Sequence, residues 1–164
     1  MAATVQIVEK NGAGGTTTDK TSGTIRFKNA DNATVDLVNP LVVPPTPGYD
    51  YSFEKWLRMN VTGGTYSQIT NVKVYSDGNN GMGTGVEVYA KAVASYATPA
   101  EATATAGYTN FFTYTSGSSL SLGAGPYTST GEKGDHAVMM MRVAETATQG
   151  VTPSETLTLA WDEI

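Results

Sequence analysis

The chain has 164 residues, a net charge of -5, no cysteine and a single histidine. That length suits one domain with a continuous core, and the missing cysteines exclude disulfides and thiolate metal sites. Ten Lys and Arg, scattered without a run against fifteen acids, argue against a nucleic-acid binder, and no stretch has the apolar length needed to cross a bilayer.

Leu, Ile, Val and Phe number only 30, so the core is expected to be lean. No window carries apolar residues at helical spacing over three turns. Met1 to Asn11 has no basic segment followed by an apolar one, and reads as the start of a cytosolically made protein. Its strand, Thr4 to Glu9, sets Val5 and Ile7 on one face. A glycine-rich break at Asn11 to Gly15 follows, then a strand over Thr24 to Lys28 with Ile25 and Phe27 opposite Arg26. A short strand over Val35 to Val38 leads into Pro44-Pro45-Thr46-Pro47-Gly48, a stiff extended segment with few donors for a ladder.

The longest expected strand is Tyr51 to Thr62. Tyr51, Phe53, Leu57, Met59 and Val61 line one face, interrupted only by Lys55, while Trp56 falls on the polar side. Gly63-Gly64 turns the chain into a strand over Gln68 to Ser76, with Val72 and Val74 inward. After the Asp77 to Gly81 loop, Gly85 to Val93 alternates Val86, Val88 and Ala90 against Glu87, Tyr89 and Lys91. The alanine-rich stretch Ala97 to Ala106 contains Pro99 and three threonines and reads as a loop. Further strands are expected over Thr109 to Thr115 and Ser119 to Leu122, with turns from Gly123 to Gly134. His136 to Glu145 is apolar almost throughout and suits a strand buried on both faces. Glu155 to Trp161 closes the chain, alternating Leu157, Leu159 and Trp161 with threonines and alanine. The sum is an all-β fold: a single antiparallel β-sandwich or jelly-roll-like domain over residues 1–164, with little or no helix.

Catalytic chemistry finds no foothold in this pattern. A Ser-His-Asp arrangement would need His136, but its neighbour Asp135 points to the other face of a strand, and there is no Gly-x-Ser-x-Gly elbow. Asp77-Gly78-Asn79-Asn80-Gly81 resembles an EF-hand calcium loop only superficially, since the twelfth position is Val88; a tight Asp-Gly turn is the simpler reading, with an irregular calcium site as its alternative. Glu101, Glu132 and Glu145 sit in or beside loops without a motif that pairs them. The expectation is a non-enzyme with no metal and no cofactor. Tyr49, Tyr51, Trp56, Tyr66, Tyr75 and Tyr89 cluster on the central strands. If Trp56 and Tyr89 project outward they make an apolar patch fit for a protein or a glycan; the alternative is that a second sheet or a long loop covers them.

Four segments carry a family resemblance: Gly23-Thr24-Ile25-Arg26-Phe27-Lys28-Asn29, Tyr51 to Arg58, Ile69 to Gly78 and Ser154 to Asp162. These threonine-rich strands ending in Asx-Gly turns resemble the virion structural proteins of tailed bacteriophages, particularly small β-rich head decoration or cement proteins. The resemblance implies a protein on the capsid surface of the virion that binds the major capsid protein, self-associates (often as a trimer) and stabilises the shell. Contacts are then expected near Trp56, Tyr89, Pro44, Pro45 and Pro47, and Met1 to Ala3 and Asp162 to Ile164 could serve as extended arms. A phage tail or head-fibre component and a carbohydrate-binding β-sandwich module are the rival expectations.

Overall fold

The computed structural model describes residues 2–150 and 154–164, and within them the regular structure is almost wholly antiparallel β, joined by long irregular segments. The strands are β1 (Ala3–Asn11), β2 (Thr16–Asp19), β3 (Tyr49–Tyr51), β4 (Lys55–Gly64), β5 (Ile69–Tyr75), β6 (Val86–Val93), β7 (Thr109–Asn110), β8 (Leu120–Gly123), β9 (Gly131–Ala144) and β10 (Thr158–Glu163). The larger sheet runs β2-β1-β4-β9-β6-β7, with β3 also paired to β9; the smaller runs β10-β5-β8. Both contribute to one apolar core. Leu57, Met59, Val61, Val86, Val88, Ala137, Met139 and Met141 come from the large sheet, and Ile69, Val72, Val74, Leu120 and Leu122 from the small one. This is the sandwich architecture expected of half-buried alternating strands.

β9 runs through the middle of the large sheet and is buried on both faces, as its apolar run predicts. Ala137, Met139, Met141 and Val143 face the shared core, while Val138 and Met140 are buried behind it. It also starts earlier than expected. The Gly131 to Gly134 stretch, read as turn, belongs to the strand. Leu57 pairs with Ala137 but Met59 with Lys133, so a bulge absorbs the extra β9 residues, and Arg58 Nε donates to the Gly134 carbonyl at 2.8 Å. A glycine that signals a turn in sequence here serves a bulge.

Several other strands differ from expectation for physical reasons. The Tyr51 to Thr62 strand is broken at Ser52 to Glu54. Ser52 bridges the gap: its N–H donates to the Met141 carbonyl and its Oγ accepts from the Met141 N–H, each at 2.9 Å. Phe53 and Glu54 turn their N–H groups to the Lys28 and Ala100 carbonyls, which docks two loops on the break. Thr109 to Thr115 forms two strand residues and then a 3-10 turn, because the Asn110 side chain caps the Phe112 N–H. β2 was not anticipated; its four residues are exposed threonines and an aspartate on the sheet edge.

Residues 24–28 and 35–38 are not strands. Ile25 and Phe27 do pack against the core, together with Leu41 and Val43, but without a ladder. The irregular stretch from Lys20 to Gly48 lies on the large sheet as a cover held by side chains. The expected terminal arms are tied down as well. Ala3 pairs with Gly64 and donates to Glu163 Oε2 at 3.0 Å, and the Ile164 N–H donates to the Gln68 carbonyl. Met1 lies outside the described residues.

Candidate functional surface

The cover segment is pinned to the sheet by a buried charge cluster. Lys55 interrupts the apolar face of β4, and Glu9 falls on the same face of β1, where it pairs with Leu57. Both are fully buried, and Lys20 and Lys28 nearly so. Glu9 Oε1 receives Lys55 Nζ at 3.2 Å, and Glu9 Oε2, which has no hydrogen bond, lies 3.5 Å from Lys20 Nζ. The ammonium groups also take carbonyls of the cover: Lys55 that of Asn32 (2.9 Å), Lys20 those of Thr24 (3.1 Å) and Ala33 (2.6 Å), Lys28 that of Thr34. Carbonyls that a ladder would otherwise satisfy are satisfied by lysines. Burial, and then the Lys55 charge, hold the Lys28 amine below the ordinary lysine value.

Held this way, the segment turns four large apolar side chains outward. Val35 is 60% exposed, Leu37 and Val38 87% each, and Val42 55%. Asp36 organises the turn that carries them. It accepts from the Val38 and Asn39 N–H groups and from the Asn32 and Asn39 side chains, which lowers its pKa to about 2. Beside the segment lies an open groove of about 400 Å³, lined by Arg26, Val35, Leu37, Leu41 and Val42 among others. Pro45 and Pro47 are exposed at the far end of the same segment, and Pro44 is half-buried.

Trp56 is no part of an outward patch. It does face away from the shared core, as alternation predicts, but it is only 4% exposed. The 94–108 segment crosses that side of the sheet. Tyr96 meets the Trp56 ring edge-on at 5.3 Å, His136 packs at 5.4 Å, and the indole N–H donates to Glu54 Oε2 at 2.9 Å. Glu54 also pairs with Lys91 at 3.5 Å and accepts from the Tyr108 hydroxyl, whose pKa burial and that bond raise strongly. Tyr89 is half-buried, its hydroxyl held by Glu87 and Arg142. Arg142 lies 4.3 Å from the Tyr49 ring centre, and Tyr49 is 52% exposed. The Tyr49 and Tyr51 rings are inclined by 52°, so they make no flat platform for a sugar ring.

The titratable candidates are absorbed into structure. His136 Nδ1 lies 3.1 Å from the Val93 carbonyl, no carboxylate orients the ring, and burial lowers its pKa. Glu132 bridges Lys10 (2.6 Å) and Arg58 (3.1 Å), and Glu145 accepts from the Gly48 N–H. Asp77 closes an Asx turn onto the Asn79 N–H at 2.8 Å, and Gly78 takes a φ of 90° that a side chain would strain. Among the described residues no three His, Cys, Asp or Glu are grouped to hold a metal ion.

Sequence reasoning missed the surface segment because Val35 to Val38 reads as a strand. The available signal was the density of Asn, Asp and Pro around it, from Asp31 to Pro47. Lys55 was visible as a break in an apolar face, but its partners Glu9, Lys20 and Lys28 lie far from it in the chain. No protein-family model, no curated protein and no solved structure matches this chain.

Proposed function

We propose that this chain is a non-enzymatic structural protein of a tailed-bacteriophage particle, a decoration or cement protein that binds the outside of the head shell. The observation that carries the docking part of this reading is the exposed apolar set Val35, Leu37, Val38 and Val42 on a segment anchored to a rigid sandwich. Isolated exposed apolar residues are ordinary, but a contiguous group on an ordered loop is the form a protein-binding surface takes. The phage assignment rests on the resemblance of the threonine-rich segments. Under it the partner is the major capsid protein, and the contact runs from Val35 through Pro47.

Particle stoichiometry tests the assignment. Purified particles should carry the chain at a copy number comparable to the shell protein. A few copies per particle would move it to the tail or a fibre, and its absence would overturn the virion reading. The surface itself is tested with a Leu37→Ser/Val38→Ser double variant. It should fold with an unchanged melting temperature yet fail to co-sediment with undecorated shells. Retained co-sedimentation would exclude this segment as the contact.

A further inference from the structure

The buried cluster at the root of the cover segment holds a nucleophile, a base and an acyl group in one place. Carrying the β1–β4 register one residue beyond Lys10↔Trp56 sets Asn11 opposite Lys55 on neighbouring strands. Glu9 precedes Asn11 by two residues and so shares its face. A single oxygen, Glu9 Oε1, lies 3.2 Å from Lys55 Nζ and 3.3 Å from Asn11 Nδ2. Asp31 Oδ1 holds the same Asn11 Nδ2 at 2.8 Å. Lys55 and Glu9 are fully buried and Asn11 is half-buried, so the nucleophile and the base are held out of water while the carboxamide reaches toward the surface.

We infer that Lys55 and Asn11 form an intramolecular isopeptide bond, with Glu9 moving the protons. Lys55 Nζ attacks the Asn11 carboxamide carbon. The Nζ–Cγ bond forms, the Cγ–Nδ2 bond breaks, and two protons pass from Nζ to the departing nitrogen by way of Glu9 Oε1. The nitrogen leaves as ammonium with the charge Lys55 carried, and Glu9 ends as the carboxylate it began as. No oxidant or cofactor is needed.

Charge balance gives this step a direction. Lys20 and Lys55 both pair with one fully buried carboxylate, and Lys28 lies near enough to feel the charges of Glu9 and Lys55, while uncompensated charge out of water is costly. Converting Lys55 to a neutral amide removes one of the three cations and leaves the Glu9–Lys20 pair in place. Of the three lysines, Lys55 is the one whose ammonium shares a carboxylate oxygen with a carboxamide; Lys20 meets the other oxygen, and Lys28 bonds a cover carbonyl. The new bond would close the chain from Asn11 to Lys55 into a covalent loop containing the whole cover segment and its exposed apolar side chains. The surface would then stay fixed even when the surrounding strands open. The inference does not depend on what that surface binds.

Intact-mass spectrometry of the purified full chain tests it. The protein should be lighter than its sequence by one ammonia, and a protease digest should yield a branched peptide joining the segments that carry Asn11 and Lys55. Lys55→Met and Asn11→Ala should each show the full sequence mass, with circular dichroism confirming that they fold. Glu9→Gln should stay unlinked or link far more slowly. A wild-type chain at full mass overturns the inference, whether or not any variant folds. So does ammonia loss that persists in Lys55→Met, because a succinimide ring at Asn11-Gly12 sheds the same mass without a branch.

Discussion

At the scale of single residues, Trp56 and His136 share one buried site and make opposite contributions. Trp56 is wedged between Tyr96 and His136 and bonded to Glu54, so its removal opens a cavity that neighbouring backbone cannot fill. Trp56→Ala should cost about 3–5 kcal/mol in urea unfolding, whereas a residue on an outward patch would change stability by about 0.5 kcal/mol or less. His136 is buried against those rings, and that burial holds its folded pKa below the ordinary histidine value of 6.5. Between the two values the unfolded chain binds more protons than the folded one, so folding stability rises with pH there. The contribution is complete above 6.5 and is lost as pH falls through the folded value. The thermal midpoint should therefore drop between pH 7.5 and 5.5, and less so in His136→Gln. An imidazole NMR titration of the folded chain should give a midpoint below that of an exposed histidine.

At the scale of elements, irregularities keep the faces aligned. In β5, Ile69, Val72 and Val74 all point into the core, although strict alternation would turn one of them out. Asn71 resolves this by adopting a φ of 52°, with shifts of register on the β8 and β10 sides. A β-branched side chain in that region is strained, so Asn71→Val should destabilise the fold by roughly 1–2 kcal/mol while Asn71→Gly is tolerated. Thermal melts of the two variants distinguish bulge geometry from loss of the Asn71–Asp162 side-chain bond, which both remove. The inward residues of β1, β4, β6 and β9 were legible because period two survives a bulge on either side of it. Strand ends were not, because Gly131 and Gly134 carry the same signal in a bulge as in a turn. The proposed docking surface was illegible for a related reason: Val35 to Val38 has a strand's composition, and only the absence of a neighbouring strand makes it coil.

At the scale of the whole molecule, a sandwich with a small second sheet leaves part of its large sheet to be covered by irregular chain. That cover is also the proposed contact surface, so stability and docking meet at the Glu9–Lys55 cluster. The Leu37→Ser/Val38→Ser variant separates them, since both side chains are almost fully exposed and contribute little to folding. Shell binding should be lost while the unfolding midpoint holds. If the isopeptide bond is present, the cover stays attached under conditions that melt the strands, and Lys55→Met should lose shell binding at a lower temperature than the wild type.

The sequence by itself determined the all-β class, the inward faces of the main strands and the burial of β9, because each follows from short-range alternation and composition. Tertiary structure alone decided that Trp56 is covered, that residues 24–38 lie outside both sheets, and that Glu9, Lys20, Lys28 and Lys55 meet. Those outcomes depend on which segments lie across each sheet face. Which segment covers a given face is a relation between parts of the chain far apart in sequence, and local periodicity carries no information about that choice.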